Sequence, residues 1–199
     1  MLVTIAGPAW AAGPYTITAG TTSTGDVAYT AATTGAAPYI FFATPNVQLA
    51  CDSGTVDGNL FLGSNATGEN IGSIASSTWT NCPGPLGLPL TFTQVGTWSL
   101  NATGTPTGGV TPVTIENVSV HVEATDDPGS WAHDITGSMD GILDESTQVL
   151  TITTPTHGAR LETSNTVGTF GLIQDGEEVT LEMSYELTNP AGPIAITSP

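Results

Sequence analysis

The stretch Glu178-Val179-Thr180-Leu181-Glu182-Met183-Ser184-Tyr185-Glu186-Leu187-Thr188 decides the fold class. Val179, Leu181, Met183, Tyr185 and Leu187 alternate without interruption with Thr180, Glu182, Ser184 and Glu186. A period of two sends one set into a core and the other into water, so the stretch reads as a half-buried antiparallel strand.

Residues 111–123 keep this period but change phase. Val113 and Ile115 share one parity and Val118, Val120 and Val122 the other, which predicts a bulge or bend at Asn117. Leu150 and Ile152, Trp98 and Leu100, and Leu90 with Phe92 mark strands over 148–154, 97–101 and 89–94. Shorter candidates lie at 15–18, 27–31, 39–42, 47–51, 60–62 and 77–81. Gly, Pro, Thr and Ser punctuate these runs at intervals of roughly 8–12 residues. No stretch longer than about ten residues holds a helical apolar period. About a dozen short strands predict an all-β chain. The expected form is an antiparallel β-sandwich of jelly-roll or Ig-like type, with a closed β-barrel as the alternative.

Residues 12–199 read as a single β-sandwich domain. Residues 116–186 hold 14 of the 18 acidic residues, but hydrophobicity does not shift with the charge. The Gly/Thr-rich segment 101–111 therefore reads as a long hairpin loop rather than a linker. Residues 1–11, with apolar residues, a Gly7-Pro8 break and small residues around Trp10, read as a signal-peptide remnant or as an N-terminal strand over 2–6.

Charge sets the function classes. Against 18 acids stands one base, Arg160, giving −17, and Lys is absent. Phosphate contacts need Lys and Arg, so nucleic-acid binding is excluded, and an anionic membrane surface would repel the chain. The negative field favours cations and positively charged partners. Cys51 and Cys82 are the only cysteines. In a Thr/Gly-rich, Lys-free chain of extracellular character they read as a disulfide worth roughly 3–4 kcal/mol; the alternative is two buried thiols.

The segment from Thr78 to Leu88, Thr-Trp-Thr-Asn-Cys-Pro-Gly-Pro-Leu-Gly-Leu, is followed by Leu90-Thr91-Phe92 and by Thr97-Trp98-Ser99-Leu100-Asn101-Ala102-Thr103. Gly137-Ser138-Met139-Asp140-Gly141 and Gly171-Leu172-Ile173-Gln174-Asp175-Gly176-Glu177 come later. Over roughly residues 50–190 the chain resembles a group of secreted, disulfide-containing, β-rich proteins of actinobacteria, mostly of unknown function. The resemblance implies an exported, non-catalytic β-domain. It also implies a second cysteine pair near Trp131 and Thr169, which this chain lacks.

Catalytic motifs are weak. Ser130, His133 and Asp134 are close in sequence, but adjacent strand residues diverge, and no Gly-x-Ser-x-Gly elbow exists. Asp144-Glu145 and Glu177-Glu178 read as solvated turn residues rather than a glycosidase pair. The acidic turns make Asp126, Asp127, Asp140 and Asp144 candidates for a structural calcium ion, without matching an EF-hand. His121 is expected outward and His157 in a turn, with no metal-ligand spacing. Trp10, Trp79, Trp98 and Trp131 could form a sugar-stacking platform, but the parity of Trp98 with Leu100 favours core.

The expectation is a secreted, non-enzymatic structural or surface protein without a cofactor. It would be an envelope or filament subunit associating through its terminal strands, 2–6 and 194–197. The alternative is a carbohydrate- or ligand-binding module, with a surface glycan or a cationic molecule as partner.

Overall fold

The structure is a computed structural model that describes residues 13–35, 39–42, 47–154 and 158–199. Its strands are β1 (Tyr15–Ala19), β2 (Gly25–Thr33), β3 (Tyr39–Phe42), β4 (Gln48–Ala50), β5 (Ser53–Asn65), β6 (Gly72–Thr80), β7 (Cys82–Pro83) and β8 (Pro89–Gln94). They continue as β9 (Trp98–Ala102), β10 (Val110–Ala124), β11 (Ala132–Asp144), β12 (Val149–Thr154), β13 (Leu161–Val167), β14 (Glu178–Thr188) and β15 (Ile194–Thr197). Every pairing is antiparallel, and the only helical element among the described residues is a 3-10 turn, Pro85–Gly87.

The pairings run β2–β5–β6–β9–β10–β11–β12–β14 and return to β2, which closes an eight-stranded barrel. The chain is therefore all-β, as its alternation predicts, and the closed barrel is the form built rather than two facing sheets. Local bends make closure possible. The ladder between β10 and β11 shifts register between Ile115 and Val118, and Asn117 there adopts a left-handed φ of 60°. This is the predicted bulge, and bulges coil a sheet toward closure. Segment 101–111 is spanned by the pairing of β9 with β10, from Ala102 opposite Val113.

One end of the barrel is a simple ring. At the other, strands divide: β10 pairs β9 near Ile115 but β8 near Val122, and β11 pairs β12 near Leu143 but β13 near Ile135. Likewise β14 pairs β2 near Leu187 and β3 near Leu181. There β8, β13 and β3 add strands to the wall at the wider end. The Cys51–Cys82 disulfide, 31 residues apart in sequence, ties the start of β5 to β7 there.

The narrow mouth is closed by β1 and β15, which pair with each other while β1 also extends from the far end of β5. Tyr15, Ile17, Ala19, Ile194 and Ile196 are all buried. The Tyr15 hydroxyl donates to the Gly104 carbonyl at 3.2 Å on one side of the mouth. On the other, the Gln148 side chain bonds both the amide and the carbonyl of Ile194, at 2.7 and 2.9 Å.

Inside and outside alternate as the sequence dictates. Val179, Leu181, Met183, Tyr185 and Leu187 point into the barrel, whereas Glu182 and Glu186 are exposed. The interior is apolar and the outer face carries Thr, Ser and Glu, the inverse of a lipid-facing barrel. The expectation for residues 1–11 lies outside the described residues.

Candidate functional site

Aromatic side chains meet inside the barrel. Trp79 packs on Phe92 and Trp98, with ring centroids 5.8 and 6.5 Å away. Gly54, opposite Trp79 in the ladder, leaves these rings their space. A Cβ at Gly54 would lie 3.0 Å from Trp79 Cδ1 and 3.2 Å from the Tyr185 hydroxyl. Burial pushes the Tyr185 hydroxyl up to about 12, and burial also raises Tyr29. Neither phenol ionises near neutral pH.

Polar groups here are largely spent on the fold. Ser77 Oγ donates to Gln94 Oε1 at 2.7 Å, and Gln94 Nε2 donates to the carbonyls of Ile74 and Gly96. Tyr29 donates to the Ser73 carbonyl at 3.2 Å. Among Ala31, Val56, Trp98, Met139, Ile152 and Met183 a chamber of about 50 Å³ remains. Small-molecule sites usually enclose about 300–1,000 Å³. A filled interior with a dry residual void is what packed side chains leave, not a formed ligand pocket.

The candidate calcium ligands do not gather. Asp126 and Asp127 lie in the turn between β10 and β11, whereas Asp144 ends β11 opposite Val110, at the other end of the hairpin. The hairpin is long, so four acids that look close in sequence are spread along the barrel wall. Asp144 Oδ1 instead accepts from the Ser146 amide and hydroxyl and the Thr147 amide, and the Ser146 bonds hold its carboxyl below the usual carboxylate range. Asp140 Oδ1 accepts from the Thr114 hydroxyl at 2.8 Å.

Ser130, His133 and Asp134 also part. Ser130 Oγ donates to the Asp127 carbonyl within its own turn. His133 is fully buried, edge-on to Trp131 at 5.1 Å. Asp134 points outward, to His121 Nδ1 at 2.6 Å and Asn165 Nδ2 at 2.7 Å. Burial acts to raise its carboxyl, and the His121 and Asn165 hydrogen bonds outweigh that and hold it low. Sequence reasoning placed His121 outward but missed this row, because the β10–β11 register that sets His121 opposite Asp134 depends on the bulge and the turn together.

No protein-family model, curated protein or solved structure matches the chain.

Trp98 and Trp131 are buried and Trp79 is half-buried with its ring toward the chamber, so none of the three offers an outward stacking surface for a sugar. Trp10 lies outside the described residues. The lone base, Arg160, is held by Glu162 at 2.6 Å and Glu178 at 3.5 Å.

Proposed function

We propose that this chain is an exported, non-catalytic surface or structural protein whose working surface is the outside of the barrel. One observation carries the reading: among the described residues the barrel interior is apolar and filled to a residue of about 50 Å³, and β1 and β15 close one mouth. Chemistry inside such a body has no space, and the acidic outer face is what a partner would meet. The Cys51–Cys82 disulfide supports an oxidising compartment. The acids favour a cationic partner, since Arg160 is already neutralised by its neighbours.

Association through the C-terminal strand takes a specific form here. β15 is already paired with its own β1, so it would join a neighbour only by exchange, leaving one β1 for another. Size-exclusion chromatography with light scattering, with and without Ca²⁺, together with negative-stain electron microscopy of the exported protein, tests this. Ordered oligomers, sheets or fibres are expected. A strict monomer at high concentration removes the assembly reading and leaves a surface protein that acts by binding.

A further inference from the structure

We propose that the outer face of β10 carries a binding site for a divalent transition-metal ion, Zn²⁺ or a borderline-soft relative, with His121 and Glu123 as its protein ligands. The argument begins with the histidine's orientation. His121 Nδ1 lies 2.6 Å from Asp134 Oδ1, so Nδ1 carries the hydrogen and donates it. Asn165 Nδ2 donates to the other Asp134 oxygen at 2.7 Å, which fixes the carboxylate in turn. These three residues come from β10, β11 and β13, so the ring is held from two neighbouring strands. With Nδ1 committed, the lone pair of a neutral imidazole is on Nε2.

Nε2 faces a second ligand. Glu123, two residues along the same face, places Oε2 3.8 Å from His121 Nε2. With metal–nitrogen and metal–oxygen bonds of about 2.1 Å, a tetrahedral ion needs these atoms about 3.4 Å apart, so the glutamate has to close by about 0.4 Å. Both side chains have room for that adjustment, being 39% and 28% exposed. Water can occupy the remaining positions, and Thr93 on β8 stands opposite His121 in the ladder. A carboxylate that receives a histidine's other ring N–H fixes the tautomer and raises ligand basicity in metal sites. Asp134 is placed for that role, and the overall −17 charge concentrates cations at the surface. The row differs from the acidic turns at Asp127 and Asp144 in offering nitrogen, which suits zinc, copper or nickel rather than calcium.

The test is titration of the intact, disulfide-bonded protein with ZnCl₂. It is read by isothermal calorimetry and by imidazole nitrogen NMR, which resolves His121 from His133 and His157. Saturable binding of one ion below about 1 mM is expected, with the His121 Nε2 signal moving and Nδ1 remaining protonated. His121→Ala should abolish binding. Asp134→Asn should weaken it about 10–100-fold while leaving the ligands in place. His157→Ala should leave it unchanged. No binding by about 1 mM, or binding that survives His121→Ala or depends on His157, overturns the proposal. Unchanged thermal unfolding of the half-exposed His121→Ala variant separates a lost site from a lost fold.

Discussion

Trp131 and His133 meet edge to face, with ring centroids 5.1 Å apart and planes at 85°, and both are essentially sealed from water. A neutral imidazole tolerates this position and an imidazolium does not. Burial lowers the His133 pKa from 6.5 to about 4, with the nearby Asp134 charge opposing and His121 adding to the shift. Above pH 6.5 the ring is neutral in both folded and unfolded chains. As the pH falls toward 4 the unfolded chain takes up a proton that the folded one refuses, so stability is lost across that window, by about 3 kcal/mol in all. Urea unfolding at pH 7 and at pH 4.5 should show the decline, and His133→Phe should flatten it. A wild-type stability unchanged between those pH values would contradict the burial account.

The disulfide closes a 31-residue separation, and both sulfurs are buried beneath the wide mouth of the barrel. Constraining a loop of that length stabilises a fold by about 3–4 kcal/mol through the unfolded chain. Cys51→Ala with Cys82→Ala should therefore lower stability by about that amount, measured by chemical denaturation. Hydrogen exchange should place the loss first in β4, β7 and the start of β5. A loss below about 1 kcal/mol would mean that the paired strands hold the mouth without it.

Gln148 holds the C-terminal strand through one side chain. Its amide bonds the Glu145 carbonyl at 2.6 Å and both backbone groups of Ile194. Gln148→Ala leaves the Ile194 amide and carbonyl without these partners, at a cost of about 1–3 kcal/mol. Exchange protection at 194–197 should fall more than in the barrel ring, and if β15 exchanges between molecules, the dimer fraction should rise. Equal loss of protection throughout would show that β15 is part of the same cooperative unit.

Legibility in the sequence followed the range of the interaction. The alternation in β14 and the phase change at Asn117 are local facts, and both appear as read. β11 escaped the sequence reading because Gly137 and Gly141 interrupt its apolar set, and its inward residues include His133. β13 escaped because Thr163 fills an inward position, donating to the Gln174 carbonyl. Ring closure itself pairs Ala31 with Leu187 and Val56, a contact between distant parts of the chain with no local signature. The same limit explains the acids. Whether Asp126 and Asp144 share a site depends on hairpin length, which composition does not encode.

The residual chamber gives the most direct test of how the barrel is packed. Ala31 lines it between Val56 and Leu187, and about 50 Å³ is enough for one or two further methyl groups. Ala31→Val adds two carbons, and a β-branched side chain suits a strand, so a gain of about 1 kcal/mol is expected. The reverse change, Ile152→Ala, enlarges the void and should cost about 2–5 kcal/mol. Thermal and urea unfolding of the two variants should move in opposite directions. If Ala31→Val instead destabilises by more than about 1 kcal/mol, the wall at β2 is already tight, and the free volume lies nearer Met139 and Met183, where Met183→Leu becomes the variant to measure.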